Sequence, residues 1–290
     1  MNHPAIQLYH AVARSKHPAP LKLVTTGAYP LLTRALVKLR GQPVTCRAAL
    51  FFGTTIDVVL PDPVSASIYT YGFYDETVSW LAMKHTRPGD TVLDIGAHIG
   101  YLARLLAHVV GPTGSVYAFE PTPRTFALLQ RNTRQQRHIV PLNAAAGLRD
   151  ERLTLHDYGP TMAAWNTLSH QPRWQHAQSL PQHLLDVPVI NLDRYLTEQQ
   201  IRPDLIKIDA EDYEYQIVLG LQQTLQRCHP HIIMEAGSTH TLNAGHLLLD
   251  LGYHCFISCG LGHLMPWYGP LAEANATYKD LLFCHPHRAD

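Results

Sequence analysis

The sequence predicts an α/β protein with a mostly parallel, doubly wound sheet and an antiparallel edge strand. Short apolar runs typical of buried strands alternate with segments of helical periodicity between residues 91 and 258. A turn with two glycines joins the first of these strands to a helix at residues 91–107. Several strands end in a carboxylate, which places acidic side chains at the edge where such sheets bind ligands.

The chain before the sheet is predicted to be an N-terminal extension of helices and a β-hairpin. Residues 5–14 and 31–40 have helical spacing, and prolines separate them. The second segment is amphipathic, which favours packing on the protein body or on a second subunit, so these helices could form a homo-oligomer. Residues 44–52 and 54–60 flank Gly53 and predict the hairpin.

The remaining elements follow from the periodicity of the chain. A helix reaching residue 83 precedes the first central strand. Beyond it the patterns predict strands at 115–120, 139–146, 152–157, 187–192, 204–209, 230–235 and 253–258, helices at 121–136, 213–226 and 241–251 and from 193, and an antiparallel edge strand within 276–284. Residues 158–186 lack periodicity and are interpreted either as a substrate-specificity insertion or as a disordered linker.

Composition excludes several function classes. The 290 residues include 23 basic and 23 acidic side chains, so the formal net charge is zero. This balance argues against a generic nucleic-acid or membrane-surface binder, because phosphate affinity depends on an excess of basic residues. There is no apolar run long enough for a membrane span and no N-terminal signal pattern. We therefore expect a cytoplasmic protein with neither a nucleic-acid partner nor a membrane span.

The five cysteines and 19 histidines raise the question of a metal site. Cys255, Cys259 and His263 recur at intervals of four residues, which is the spacing of one helix face. Gly260 and Gly262 interrupt that stretch, and there is no Cys-x-x-Cys pair. The sequence analysis therefore predicts free thiols and no metal.

The glycine turn indicates the kind of ligand. Asp94 is followed by Gly96 and Gly100 in a Gly-x-x-x-Gly spacing, with His98 between them. A dinucleotide fingerprint would read Gly-x-Gly-x-x-Gly and would place a pyrophosphate at the helix N-terminus. The turn therefore suits a nucleoside ligand without a pyrophosphate, and a nicotinamide dehydrogenase is disfavoured.

A second acid completes the prediction of the ligand. Glu120 ends the next strand, 26 residues after Asp94, close to the usual position of a ribose-binding acid. Its carboxylate can accept hydrogen bonds from two vicinal hydroxyls, whereas Asp94 is placed to bind an ammonium group or to order the loop. A ligand with a ribose at one end and an ammonium at the other is S-adenosylmethionine. The small residues at 143–147 leave room for its adenine.

Three stretches together resemble the FkbM family of methyltransferases. They are residues 88–101, 116–121 and 205–211, and the likeness extends over about residues 68–258. The resemblance implies a Rossmann-like class I methyltransferase fold in residues 68–290, after an extension covering residues 1–67. It also implies S-adenosylmethionine as the cofactor and O-methylation of a hydroxyl on a small-molecule or glycan acceptor, such as a sugar, a glycan or a polyketide-type product.

The resemblance also implies site residues. His98 stands where the family often has asparagine, and Asp212 stands at a family glycine in a strand-to-helix turn, where aspartate tolerates a left-handed backbone. These two departures favour the rival hypothesis of a non-catalytic binding protein. Carried over by position, the cofactor-binding residues are Glu76, Asp94, Gly96, Ala97, His98, Gly100, Glu120 and Ala145.

Two acids after one strand are the candidate catalytic residues. Asp209 is the first candidate for the base that accepts the hydroxyl proton, and Glu211 is the second. Alternatively Asp209 binds the cofactor or caps the turn, and the base is one of His156, His170, His176 and His183, in or beside the 158–186 segment. A magnesium-type ion held by Asp209, Glu235 and Asp212 is a further alternative, although no metal is predicted.

Overall fold

The N-terminal part of the computed structural model is a β-hairpin followed by two helices. The structure describes residues 42–169, 181–259 and 263–288. The helices predicted at 5–14 and 31–40, and any oligomer contact through them, lie outside the described residues. The hairpin is confirmed, and these first elements are β1 (Val44–Ala49), β2 (Thr55–Leu60), α1 (Pro63–Tyr71) and α2 (Glu76–Lys84).

Strands and helices then alternate to the end of the described chain. The elements are β3 (Thr91–Ile95), α3 (Tyr101–Val110), β4 (Ser115–Phe119), α4 (Pro123–Thr133), β5 (Ile139–Leu142), β6 (Ala145–Gly147), β7 (Glu151–Asp157), β8 (His183–Asn191), α5 (Leu192–Glu198), β9 (Leu205–Ile208), α6 (Glu214–Leu219), α7 (Gln222–Cys228), β10 (His231–Glu235), α8 (Thr239–Asp250), β11 (His254–Ser258), β12 (Leu264–Pro266), α9 (Leu271–Thr277) and β13 (Asp280–Cys284). No helix in these described ranges is long and apolar enough to cross a lipid bilayer.

The central sheet has eight strands in the order β12-β11-β13-β10-β9-β3-β4-β5. The five strands from β10 to β5 are parallel, and β9 and β10 are buried at nearly every position, as expected for strands covered on both faces. The strand order reverses between β3 and β9, which is where open α/β sheets bind their ligands. The predicted α/β class and the mostly parallel sheet are thus confirmed.

The C-terminal strand occupies a different place from the one predicted. β13 is antiparallel, but it lies between β10 and β11 instead of at an edge. The antiparallel edge strand is β12, a short strand paired with β11. The prediction was wrong on this point because strand order depends on pairings between distant segments, which periodicity does not report.

Two elements predicted as continuous are interrupted. The strand predicted at 139–146 divides into β5 and β6, because the Asn143 side chain donates to the carbonyl oxygens of Glu120 and Pro121, at 3.0 and 3.1 Å, and turns the chain. β6 then pairs with β8 in a separate three-stranded sheet, in which β8 begins at His183.

The helix predicted at 213–226 divides into α6 and α7. Its interruption depends on a residue from another part of the chain. The Asp193 carboxylate accepts hydrogen bonds from the backbone N–H of Gln223 and Thr224, at 2.9 and 2.8 Å, and so caps the start of α7.

The hairpin shares its core with the central sheet. Ile56 and Ile68 lie in the same buried cluster as Val92 of β3 and Leu105 of α3. The predicted boundary between residues 67 and 68 falls inside α1. The division of the chain at that point stays a prediction.

The turn between β3 and α3 requires glycine at Gly96. Its φ is +78°, a left-handed conformation, and a Cβ there would lie 1.8 Å from the carbonyl oxygen of Asp209. The backbone after β3 therefore approaches the backbone after β9 closely, and no side chain fits between them.

The turn between β9 and α6 depends on Glu214. This residue is completely buried, and its Oε1 accepts a hydrogen bond of 2.9 Å from the N–H of Ala210. Glu211 and Asp212 adopt positive φ values of 47° and 75°. Asp212 therefore has the left-handed backbone expected where the FkbM family has glycine.

Replacing Gly96 with alanine should destabilise the fold strongly. Both the left-handed strain and the contact with the Asp209 carbonyl oppose the new Cβ, so we expect a loss of at least about 3 kcal/mol in the free energy of unfolding. Gly53→Ala is the matched control, because Gly53 has a φ of +83° and nothing lies within 4 Å of its Cβ position. Its cost should be about 1–2 kcal/mol. Urea denaturation that gave equal losses for both variants would contradict this account of Gly96.

Glu214 should make the stability depend on pH. Burial raises the pKa of Glu214 from 4.5 to about 7. As pH rises from 4.5 to 7 the unfolded chain releases this proton while the folded protein retains it, so the stability falls. The shift corresponds to a difference of at most about 3 kcal/mol. Urea unfolding of Glu214→Gln should therefore show this part of the pH dependence removed, whereas Glu198→Gln, on the surface of α5, should leave it in place.

Candidate active site

A cleft lies at the carboxyl ends of the parallel strands, where the strand order reverses. Each strand tip contributes one acid, in the order Asp94 near the end of β3, Glu120 after β4, Asp209 after β9 and Glu235 at the end of β10. Residues 144–146 form one wall, and residues 163–166 and 168 form another. The sequence prediction that these acids meet at one edge of the sheet is therefore confirmed.

Glu120 is held in a fixed orientation by the two loops beside it. Its Oε2 accepts a hydrogen bond of 3.1 Å from the N–H of His98, and its Oε1 accepts one of 2.8 Å from the N–H of Thr122. Burial raises the pKa of Glu120, while His98 and Thr122 lower it. Each carboxylate oxygen has a second lone pair, so Glu120 can still accept hydrogen bonds from a ligand.

His98 adopts a left-handed backbone, with φ of 50°, and lines the same cleft. Its backbone N–H is occupied by Glu120, whereas its buried ring atom Nδ1 has no hydrogen-bond partner among the described residues. A donor or acceptor of a bound molecule could satisfy this nitrogen. Histidine at this position thus leaves a polar atom at the cleft.

Asp94 lies beneath the loop, completely buried. Burial raises its pKa to about 6, although the nearby Lys207 ammonium acts in the opposite direction. The Lys207 Nζ lies 3.9 Å from Asp94 Oδ1, and it donates to the Gly96 carbonyl oxygen at 3.3 Å. An ammonium of the protein itself therefore already faces Asp94, so the loop-ordering role left open for Asp94 gains support.

Lys207 is the cation that the sequence analysis missed. Its Nζ lies 3.2 Å from Asp209 Oδ2, and the side chain is almost fully buried on β9. Burial would lower its pKa, but Asp209 and Asp94 outweigh burial and raise the pKa above its usual value. The sequence did carry a signal, because Lys207 is the one charged residue inside an otherwise apolar strand.

Three carboxylates meet at the floor of the cleft. Oxygen atoms of Asp209, Glu211 and Glu235 all lie within 4.8 Å of one another. The alternative of a magnesium-type ion named Asp212 as the third ligand beside Asp209 and Glu235. In the structure Glu211, which precedes Asp212 in the left-handed turn, takes this position instead. Such a set can bind a magnesium-type ion or accept hydrogen bonds from hydroxyl groups.

The remaining predicted cofactor residues divide into two groups. Ala97 and Ala145 line the cleft. Glu76 is the first residue of α2 and Gly100 directly precedes α3, and neither is among the described residues that line the cleft. Tyr74, two residues before Glu76, lines it instead.

Tyr74 and the residues around it form a second part of the cleft that the sequence did not predict. Lys279 also lines the cleft, its Nζ lies 5.4 Å from the centre of the Tyr74 ring, and it forms an ion pair with Asp75. Burial raises the pKa of Tyr74 to about 12, so its hydroxyl remains a hydrogen-bond donor at neutral pH. Sequence patterns gave no signal for this contact, which joins residues about 200 positions apart.

The described part of the 158–186 segment contributes to the site. Asn166 Nδ2 donates to Thr122 Oγ1 at 3.1 Å, and the Thr167 hydroxyl donates to the Glu211 carbonyl. The segment is thus fixed to both the Glu120 loop and the Glu211 turn, while residues 170–180 lie outside the described part of the chain. Within the described residues, Cys255, Cys259 and His263 do not converge on a common ligand position.

Comparison with known proteins agrees with this geometry. A family model described as Methyltransferase FkbM domain matches residues 94–255, more than half of the chain. The 31-O-demethyl-FK506 methyltransferase FkbM of Streptomyces tacrolimicus is 30% identical over 164 residues, covering 47% of this chain and 61% of that protein. The hexuronic acid methyltransferase AglP of Haloferax volcanii is 23% identical over 154 residues, covering 52% and 58%. The chain thus spans about six tenths of the length of the curated relatives it matches.

Among solved structures, a methyltransferase FkbM from Methylobacillus flagellatus KT is 16% identical, with a TM-score of 0.44, covering 77% of this chain and 54% of that chain. The mostly parallel central sheet agrees with the Rossmann-like class I methyltransferase fold that the family resemblance implies. Fold, strand-tip acids and family match agree, and the chain belongs to the FkbM family of S-adenosylmethionine-dependent methyltransferases.

Proposed function

We propose that this protein transfers the methyl group of S-adenosylmethionine to a hydroxyl oxygen of a sugar, glycan or polyketide-type acceptor. The observation that carries the proposal is that Asp94 and Glu120, at the tips of neighbouring strands, border one cleft together with the acids that follow β9 and β10. Cofactor-facing and acceptor-facing groups therefore lie within one site.

The cofactor side of the cleft suits a nucleoside. Glu120, oriented by two backbone amides, accepts hydrogen bonds from the ribose hydroxyls. The small side chains at residues 144–146 leave a flat wall for the adenine. His98 supplies the ring nitrogen that has no partner among the described residues. Asp94 keeps the glycine turn in place through Lys207 and adds negative charge near the cofactor's ammonium and sulfonium groups.

The acceptor side of the cleft suits a hydroxyl group. The Asp209 side chain is 36% exposed, so a bound acceptor can reach its carboxylate. It accepts the proton of the acceptor hydroxyl while the oxygen attacks the methyl carbon in line with the departing sulfur. Lys207 stabilises the Asp209 carboxylate before transfer, and Glu211 is the second candidate for the base.

The names of two curated relatives also support a hydroxyl group as the methyl acceptor. The name of one relative specifies an O-demethylated polyketide-type compound and that of the other a hexuronic acid. Both compounds carry hydroxyl groups, which the three clustered carboxylates of this cleft can bind. The two departures from the family pattern keep the left-handed backbone at residues 98 and 212, so they do not favour a non-catalytic protein.

Replacing Glu120 with glutamine should weaken S-adenosylmethionine binding at least tenfold. The change removes a charged acceptor of ribose hydrogen bonds, each worth about 1.5–3 kcal/mol, while it preserves shape. Isothermal titration calorimetry measures the dissociation constant, with circular dichroism as the check on folding. Glu198→Gln, on the exposed surface of α5, is the matched control and should bind like the unmodified protein. An unchanged dissociation constant in Glu120→Gln would remove the cofactor assignment.

Replacing Asp209 with asparagine should lower kcat by about 10²–10⁴, the usual contribution of a general base. Single-turnover methyl transfer from radiolabelled cofactor to a panel of sugars and polyketide-type alcohols measures this step. Glu211→Gln is the comparison variant, and a larger loss there would move the base to Glu211. The dissociation constant for S-adenosylmethionine should stay unchanged in both variants.

A chelator distinguishes this mechanism from a metal-assisted one at the same carboxylates. Catalysis by Asp209 alone is insensitive to chelator. An activity that chelator abolishes and magnesium restores would instead indicate an ion held by Asp209, Glu211 and Glu235.

A further inference from the structure

A second cluster of possible ligands lies at the opposite end of the sheet from the cleft. His231 begins β10, Cys284 ends the antiparallel strand β13, and His85 follows the last residue of α2. β10 runs from this cluster to the cleft, so the two sites are separated by about 13 Å along five strand residues. The cluster is thus independent of the carboxylates at the strand tips.

The three side chains converge closely. One potential ligand atom from each of His85, His231 and Cys284 lies within 4.8 Å of the other two. His231 Nδ1 and Cys284 Sγ are 3.2 Å apart, and the rings of His85 and His231 have their centres 4.9 Å apart. In a tetrahedral zinc site, with Zn–N near 2.0–2.1 Å and Zn–S near 2.3 Å, nitrogen and sulfur ligands are about 3.6 Å apart. The His231–Cys284 pair would open by about 0.4 Å, and each distance to His85, at most 4.8 Å, would shorten by up to about 1.5 Å to create this arrangement.

The state of His85 suits a metal ligand. Its Nε2 is buried and has no hydrogen-bond partner among the described residues. A buried imidazole nitrogen without a partner carries a desolvation cost that coordination would offset.

We propose that His85, His231 and Cys284 bind a zinc ion. All three side chains line one cavity that opens to solvent, so water completes the tetrahedral set. This cavity is also lined by Arg87, Asp90, His254, His285 and Arg288. Binding releases the thiol proton of Cys284 to solvent, since the thiolate is the ligand.

The ion would join three elements that also build the cleft. α2 begins beside Asp75, which pairs with Lys279 at the cleft, and ends beside His85. β13 begins beside Lys279 and ends at Cys284. Zinc at the far end would therefore fix α2 against β10 and β13 without contacting the cofactor or the acceptor. Its role is structural, and the inference does not depend on the proposed reaction.

Cobalt(II) binding to the full-length chain tests the proposal directly. Metal-free protein should bind one equivalent of cobalt with the visible absorption of a tetrahedral ion and a thiolate-to-cobalt charge-transfer band in the near ultraviolet. Zinc should displace the cobalt and raise the melting temperature. Cys284→Ala should lose the charge-transfer band and the zinc-dependent rise in melting temperature. Cys259→Ala is the matched control, because Cys259 is exposed and outside the cluster, and it should behave like the unmodified protein.

His85→Gln gives an independent check if Cys284→Ala does not fold. This variant should bind cobalt at least tenfold more weakly, because a three-ligand protein set becomes a two-ligand set. The proposal is overturned if the unmodified protein retains no cobalt after gel filtration. It is equally overturned if the charge-transfer band persists in Cys284→Ala, or if His85→Gln binds cobalt as tightly as the unmodified protein.

Discussion

The buried ammonium group of Lys207 is the interaction on which the floor of the cleft depends. It lies within 4 Å of Asp94 and Asp209 and donates to the backbone carbonyl of Gly96. A buried carboxylate is stable only if a counter-ion or hydrogen bonds compensate for the lost hydration. Lys207 provides that compensation for the loop after β3 and the turn after β9 together. The close approach of Gly96 to the Asp209 carbonyl then follows, because the two loops share one counter-ion.

The surroundings of Lys207 leave the cleft rich in negative charge. Among the described residues, five carboxylates border or underlie it, and the cations of the lining are Lys207 and Lys279, the second of which is paired with Asp75. S-adenosylmethionine carries positive charge on its sulfonium and ammonium groups, whereas its product retains only the ammonium. In the proposed reaction, an acidic, partly desolvated cleft favours the charged donor over the spent cofactor, which assists product release.

Local features were predictable from the sequence and long-range ones were not. The glycine turn and the acids at the strand tips are properties of short segments, and strand and helix patterns located them. The left-handed backbone at Asp212 was expected from the family resemblance. The interior position of β13 and the capping of α7 by Asp193 each join distant parts of the chain. The meeting of His85, His231 and Cys284 does the same. Lys207 lies between these two cases. Its position in an apolar strand could be recognised from the sequence, but its ion-pair partners could not.

The position of β13 has a consequence for synthesis of the chain. In the described sheet, β11 and β12 reach β10 only across β13, the last strand to be made. Until β13 has been synthesised, one side of β10 has no neighbour and the β11–β12 pair cannot dock. An exposed strand edge of this kind is prone to join other chains. Translation that stops before residue 280 would thus release an aggregation-prone protein whose glycine turn and acids are already complete.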